Sequence, residues 1–133
     1  EGNALGSLGL DYFRLGEVEK AIGYYEQALV IAREIGDRRG QGNRLGNLGL
    51  AYARLDEIEK AIGYYEQQLG IVREIGDRRG EGNALGNLGI AYAGLDEVEK
   101  ATALLQQAKA IGEQIGDPRI VQAVTAALEA LSK

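Results

Sequence analysis

The chain has 133 residues, 45% of them hydrophobic and 26% charged, with a net charge of −5, which is the size and balance of a single globular domain. No stretch approaches the ~18 consecutive apolar residues of a membrane span, and no basic start followed by an apolar run marks it for export, so neither a membrane partner nor secretion is expected. With no Cys there is no disulfide framework and no thiolate metal site, and the cytoplasm is the expected compartment.

Residues 1–40 return as residues 41–80 with about three positions in four identical, and a third copy, 81–120, starts faithfully as EGNALGNLGIAYAGLDEVEKA before it diverges. Self-similarity at a forty-residue period signals a solenoid, in which one unit cannot bury its apolar face alone and ~3 or more must stack. Within the second copy, Leu45, Leu48, Tyr52 and Leu55 recur at helical steps, and Ile58, Ala61, Ile62, Tyr65, Leu69 and Val72 do so after the break at Leu55-Asp56-Glu57. Each copy therefore predicts two antiparallel helices.

Taken in chain order, the first helix lacks the Gly-Asp-Arg-Arg joint that opens the other copies, so its amino-terminal end is unfinished and end-to-end self-association at high concentration is expected. The second helix should stop at Gly36, and the Asp37 carboxylate should cap the third; Gly76 and Asp77 repeat the arrangement before the fifth. At Gly116-Asp117-Pro118 the same joint places Pro at a first helical position, where a missing N–H does no harm. A seventh helix follows, over residues 118–133. Its stripe of Ile120, Val124, Leu128 and Leu131 can cover the last copy while Gln122, Glu129 and Lys133 face water, as a terminal cap requires.

Glycine is costly inside a helix, yet Gly42, Gly46 and Gly49, and likewise Gly82, Gly86 and Gly89, step by four and three along one side. A stripe without side chains lets a neighbouring helix approach closely, so these glycines predict inter-helix contacts. The run Gly40 to Gly46, with its copy at Gly80 to Gly86, has the look of a dinucleotide-binding fingerprint, but that motif needs a β-strand before it and here the preceding residues are charged and helical in period.

Catalysis is not expected. There is no His or Cys, and the acidic pairs Glu17 and Glu19, Glu57 and Glu59, and Glu97 and Glu99 recur at the start of every second helix, where they complement the helix dipole. Arg38-Arg39 and Arg78-Arg79 sit beside capping Asp residues in a chain of net negative charge, which predicts local ion pairs rather than a nucleic-acid surface. No cofactor or metal is implied.

The copies resemble the tetratricopeptide repeat. Leu5, Leu45 and Leu85 stand for its Trp; Leu8-Gly9, Leu48-Gly49 and Leu88-Gly89 match its Leu-Gly pair; Tyr12, Tyr52 and Tyr92 match its Tyr. In the second helices Ala21, Ala61 and Ala101 match the first small position, Tyr25, Tyr65 and Leu105 the aromatic, and Ala28, Gln68 and Ala108 the last small position. Gln68, Leu105, the absent Pro and six residues beyond the usual ~34 are the departures. Units of forty residues with a Gly-Asp joint are most similar to the Pins/LGN spindle-orientation adaptors and to arrays beside bacterial signalling NTPase modules. The resemblance implies an all-α, right-handed solenoid of three helix-turn-helix repeats plus a capping helix, as one domain over 1–133. With no Met even at position 1, that domain is expected to be a fragment of a longer protein.

The resemblance also implies that first helices line a concave groove. Along them runs a stripe distinct from the core: Asn3, Gly6, Leu10 and Phe13; Asn43, Gly46, Leu50 and Ala53; Asn83, Gly86, Ile90 and Ala93, with Arg14 and Arg54 at the edge. Carboxylate-clamp members carry Lys and Asn at these places, and the spindle adaptors carry Asn where this chain has Leu10, Leu50 and Ile90, so a charged C-terminal tail is not the expected ligand. What remains is an apolar floor flanked by Asn amides, suited to a protein or peptide ligand. Two alternatives stay open: the stripe is under-decorated or buried by helices of a longer superhelix, or the chain is a scaffold or sensor segment of a larger signalling protein.

Overall fold

The computed structural model describes residues 2–133 as seven helices: α1 (Gly2–Arg14), α2 (Val18–Glu34), α3 (Arg38–Arg54), α4 (Ile58–Glu74), α5 (Arg78–Gly94), α6 (Val98–Ile115) and α7 (Pro118–Leu131). No strand occurs among the described residues, and the fold is an all-α helical repeat.

The joints follow from single residues. Gly36, Gly76 and Gly116 have φ of 71°, 72° and 66°, the left-handed region that ends a helix without a Cβ penalty. After Gly36 the Asp37 amide donates to the Ala32 carbonyl at 2.8 Å, and the Gly36 amide to that of Arg33 at 3.3 Å, a Schellman closure. The same aspartate then opens α3 by accepting from the Gly40 amide at 2.9 Å, as Asp77 does from Gly80 at α5. Asp117 caps α7 from the amides of Arg119 and Ile120, with Pro118 in the first turn. Inside each copy the tight turn uses Gly16, Asp56 or Asp96, all at positive φ; Asp tolerates this conformation better than most side chains.

The helices group into two compact units, Glu1–Ile71 and Val72–Lys133, with the boundary inside α4. In the first, Val18, Ala21, Tyr25, Leu29, Leu45, Leu48 and Ala51 form the core. The smooth stripe has the expected purpose. A Cβ built on Gly9 would stand 2.6 Å from the Tyr25 ring, and one on Gly49 would strike the ring of Tyr65, so these aromatics lie directly on the backbone of the first helix of their own copy. Burial there pushes the Tyr65 hydroxyl up to about 12. Tyr12 stacks on Tyr24, and Tyr52 on Tyr64, with centroids 5.4 Å apart in both pairs; Lys20 and Lys60 cover the outer rings.

In the second unit Leu105 replaces the aromatic and lies 2.6 Å from where a Gly89 Cβ would be. Ile120 and Val124 of α7 are buried, while Gln122, Ala126 and Glu129 are exposed. In repeat register these last three correspond to Gly42, Gly46 and Gly49, so α7 shows polar and bulkier residues where a repeat would offer bare backbone. The outer face of α1 differs. Leu8 is 42% exposed where Leu48 and Leu88 are buried, and Asp11 is exposed where Ala51 and Ala91 are buried.

Candidate partner-binding face

In the first unit, α1 and α3 are tied together by two arginines. The Arg44 guanidinium lies over Gly6, 2.6 Å from the position a Cβ would take, and donates to the Asn3 Oδ1 at 3.4 Å. The Arg54 guanidinium lies 4.7 Å from the centroid of the half-buried Phe13 ring, a cation–π pair. Both pairs are forty-one residues apart, so the two helices run side by side in the same direction. Between the ties, along each helix, stand Leu10, 38% exposed, and Leu50, 43% exposed. Asn43 and Arg14 are also exposed. The arrangement is a short apolar strip bounded by an Asn and two guanidinium groups. A small recess of about 160 Å³ opens beside Asn3, bordered by Asp37, Gly40 and Arg44.

The second unit has a register-equivalent but larger cleft, about 250 Å³, between α5 and α7. Asn83, Asn87 and Ile90 line it from α5, and Arg119, Ile120 and Val124 from α7. Ile90 is 52% exposed. One end is closed by Arg79, whose Nε donates to the Asp117 carboxylate at 2.8 Å. The Arg78-Arg79 pair thus reaches past its neighbouring cap, whereas Arg38 bonds Gln41 within its own helix. Arg78 donates to Glu81 at 2.8 Å and to Gln114, and Arg73 donates to the other oxygen of Glu81 at 2.9 Å.

The arginine partners hold both carboxyls below their usual range. For Asp117 the Arg79 hydrogen bond is the largest cause and outweighs desolvation, with the capped amides adding to it; for Glu81 burial would raise the value, and the bonds from Arg73 and Arg78 together overcome it. A carboxyl whose folded value is depressed contributes stability above its ordinary pKa, ~3.9 for Asp, and loses it as pH falls through the folded value. Asp117→Asn keeps a capping oxygen but cannot ionise. The variant is expected to melt lower than the parent at pH 7 and to lose less of its melting temperature between pH 5 and pH 2.5; parallel acid-induced loss in both proteins would remove Asp117 from the account.

Sequence pattern alone located neither Arg44 nor the Arg79–Asp117 pair. The signal for Arg44 was its register, since the positions equivalent to it carry Ala4, Ala84 and Val124. At Gly6 the Arg44 guanidinium takes the place that Val124 takes at Gly86.

The family model for the tetratricopeptide repeat matches residues 1–74 and again 45–114. The chain belongs to the tetratricopeptide repeat family. Solved structures with the same fold include apo RapI (TM-score 0.89, 20% identity, 97% of this chain and 48% of RapI) and the TPR domain of Arabidopsis FLU (0.81, 25%, 85% and 95%). A third is the first TPR of Spaghetti (RPAP3), solved bound to an HSP90 peptide (0.78, 19%, 99% and 90%). The chain spans about half the length of RapI. No curated protein matches the sequence at a significant level. Among the described residues no helix is long and apolar enough to cross a membrane.

Proposed function

We propose that this TPR chain is a non-enzymatic, cytoplasmic protein-interaction module that binds an extended or helical peptide of a partner on its first-helix faces, and that it takes neither nucleic acid nor membrane as a ligand. The observation that carries the reading is the exposed Leu10 and Leu50 strip held between the Asn3–Arg44 and Phe13–Arg54 ties. Large apolar side chains kept in water on a rigid, polar-rimmed face suit burial by a partner. Asn3, Asn43 and Asn83 supply uncharged donors and acceptors for a ligand main chain, and Ile90 with the cleft beside it would take a side chain in the second unit. A TPR neighbour that holds a peptide supports the mode.

A random linear-peptide library displayed against the intact chain tests this. Enriched peptides should be released by Leu50→Asp or Ile90→Asp; peptides bound equally well by both variants would place the site elsewhere. The second reading is a scaffold or self-association segment of a larger signalling protein, and it is favoured by the exposure of Leu8 on α1 and of Leu15 in the turn that follows it. It predicts no enriched peptide and a light-scattering mass that rises with concentration.

A further inference from the structure

The last small position of the second helix is alanine in two copies, and both Ala28 and Ala108 are buried. In the middle copy it is Gln68, 9% exposed, whose Oε1 is buried with no hydrogen-bond partner. Its carboxamide lies flat against α3 at Gly46, where a Cβ would stand 2.6 Å from Nε2 and 2.9 Å from Cδ. Gly46 sits one turn from Asn43 and one turn from Leu50, which are exposed, and beside the half-buried Asn47. The side chain thus crosses from α4 to α3 over a buried glycine that leaves room for it, one turn from the exposed Leu50.

A buried acceptor without a partner weakens the free protein, and an apolar side chain of similar length would fill the same space without that cost. Alanine at the equivalent positions shows that the fold does not need an amide there. An uncharged carboxamide carries one donor side and one acceptor side, the complement of a peptide group, and a half-turn about its last torsion exchanges the two.

We propose that Gln68 is a ligand-positioning residue: its carboxamide hydrogen-bonds the main chain of an extended peptide lying along α3, fixing the register in which the peptide's side chains meet Leu50. The proposal rests on the peptide-binding reading above and adds to it a contact from a second helix, at one copy only.

The test uses a linear decamer selected from a random library against the intact chain, with affinities measured by fluorescence anisotropy for the parent, Gln68→Met and Gln68→Ala. Both variants should melt at or above the parent temperature and hold the decamer about tenfold more weakly, which corresponds to about 1.4 kcal/mol. Decamers N-methylated at single peptide groups complete a double-mutant cycle: one methylation should cost the parent about tenfold and cost Gln68→Met nothing further. Equal affinity of parent and both variants would overturn the proposal while leaving the binding reading intact, as would losses that add at every methylated position. A library that yields no decamer would overturn the binding reading and this contact with it. Should Gln68→Met pack badly, Gln68→Ala, carrying the residue native to positions 28 and 108, gives the same readout.

Discussion

Gly49→Leu will melt well below the parent protein, and Gly89→Leu will do the same. At Gly49 the side chain would have to occupy the volume of the Tyr65 ring, and at Gly89 that of Leu105, with the Ala101 carbonyl oxygen 3.2 Å from the new Cβ. Neither neighbour can move far. Tyr65 is buried against α3 and Leu105 is fully buried between α5 and α6. Leucine would gain helix propensity of up to about 1 kcal/mol over glycine, but overpacking a close backbone contact costs roughly 1–3 kcal/mol or more. For a chain of this length the net loss should appear as a fall of several degrees by calorimetry. A variant melting at or above the parent would show that the helices can separate without penalty, and that the glycines are only tolerated.

Leu48→Asp is expected to unfold the first unit, whereas Leu50→Asp should leave it folded. The two residues are neighbours on α3, yet Leu48 is 0% exposed in the core and Leu50 lies on the strip. A carboxylate at position 48 would be buried among the apolar side chains of the core, so it either protonates at a cost or breaks the core; losses of about 4–5 kcal/mol or more are expected, comparable to the whole stability of a small domain. At position 50 the charge stays hydrated, and a surface change of this kind usually shifts stability by about 0.5 kcal/mol. Circular dichroism melts of the two variants decide the matter. If Leu50→Asp unfolds as readily as Leu48→Asp, the strip belongs to the core.

Most of the fold was legible because the repeat writes its own punctuation. Gly36-Asp37 and Gly76-Asp77 recur as a pair, and glycine followed by a capping side chain has few structural meanings besides the end of one helix and the start of the next. The stripe of Gly42, Gly46 and Gly49 was readable for a similar reason: its spacing matched one helix face. The seventh helix came close to its expected span, ending at Leu131 with Ser132 as its C-cap. The contents of the candidate face were less legible. Phe13 and Arg54, or Arg79 and Asp117, are brought together by helices whose register is set by packing, and no local pattern links residues about forty positions apart. Gln68 was visible as a departure from a small residue, but only the structure shows that its amide lies over Gly46 with Oε1 lacking a partner. Leu8 looks identical to Leu48 in sequence. The difference in their exposure comes from packing: α3 has α2 and Tyr65 of α4 against it, whereas of these second helices only α2 packs on α1.

The tyrosine stacks have a consequence for how unfolding can be watched. The sequence contains no tryptophan, and six of its seven tyrosines, at positions 12, 24, 25, 52, 64 and 65, fall in the first unit, two pairs of them ring on ring. Only Tyr92, under Lys100, belongs to the second. Near-ultraviolet optical activity and intrinsic emission therefore report mainly on one half of the molecule, while the far-ultraviolet signal averages all seven helices. Repeat proteins lose their copies in steps when neighbour coupling is weak. In this chain the two spectral windows separate such steps without an introduced label, and the gap between their midpoints measures how far the halves act as one cooperative body.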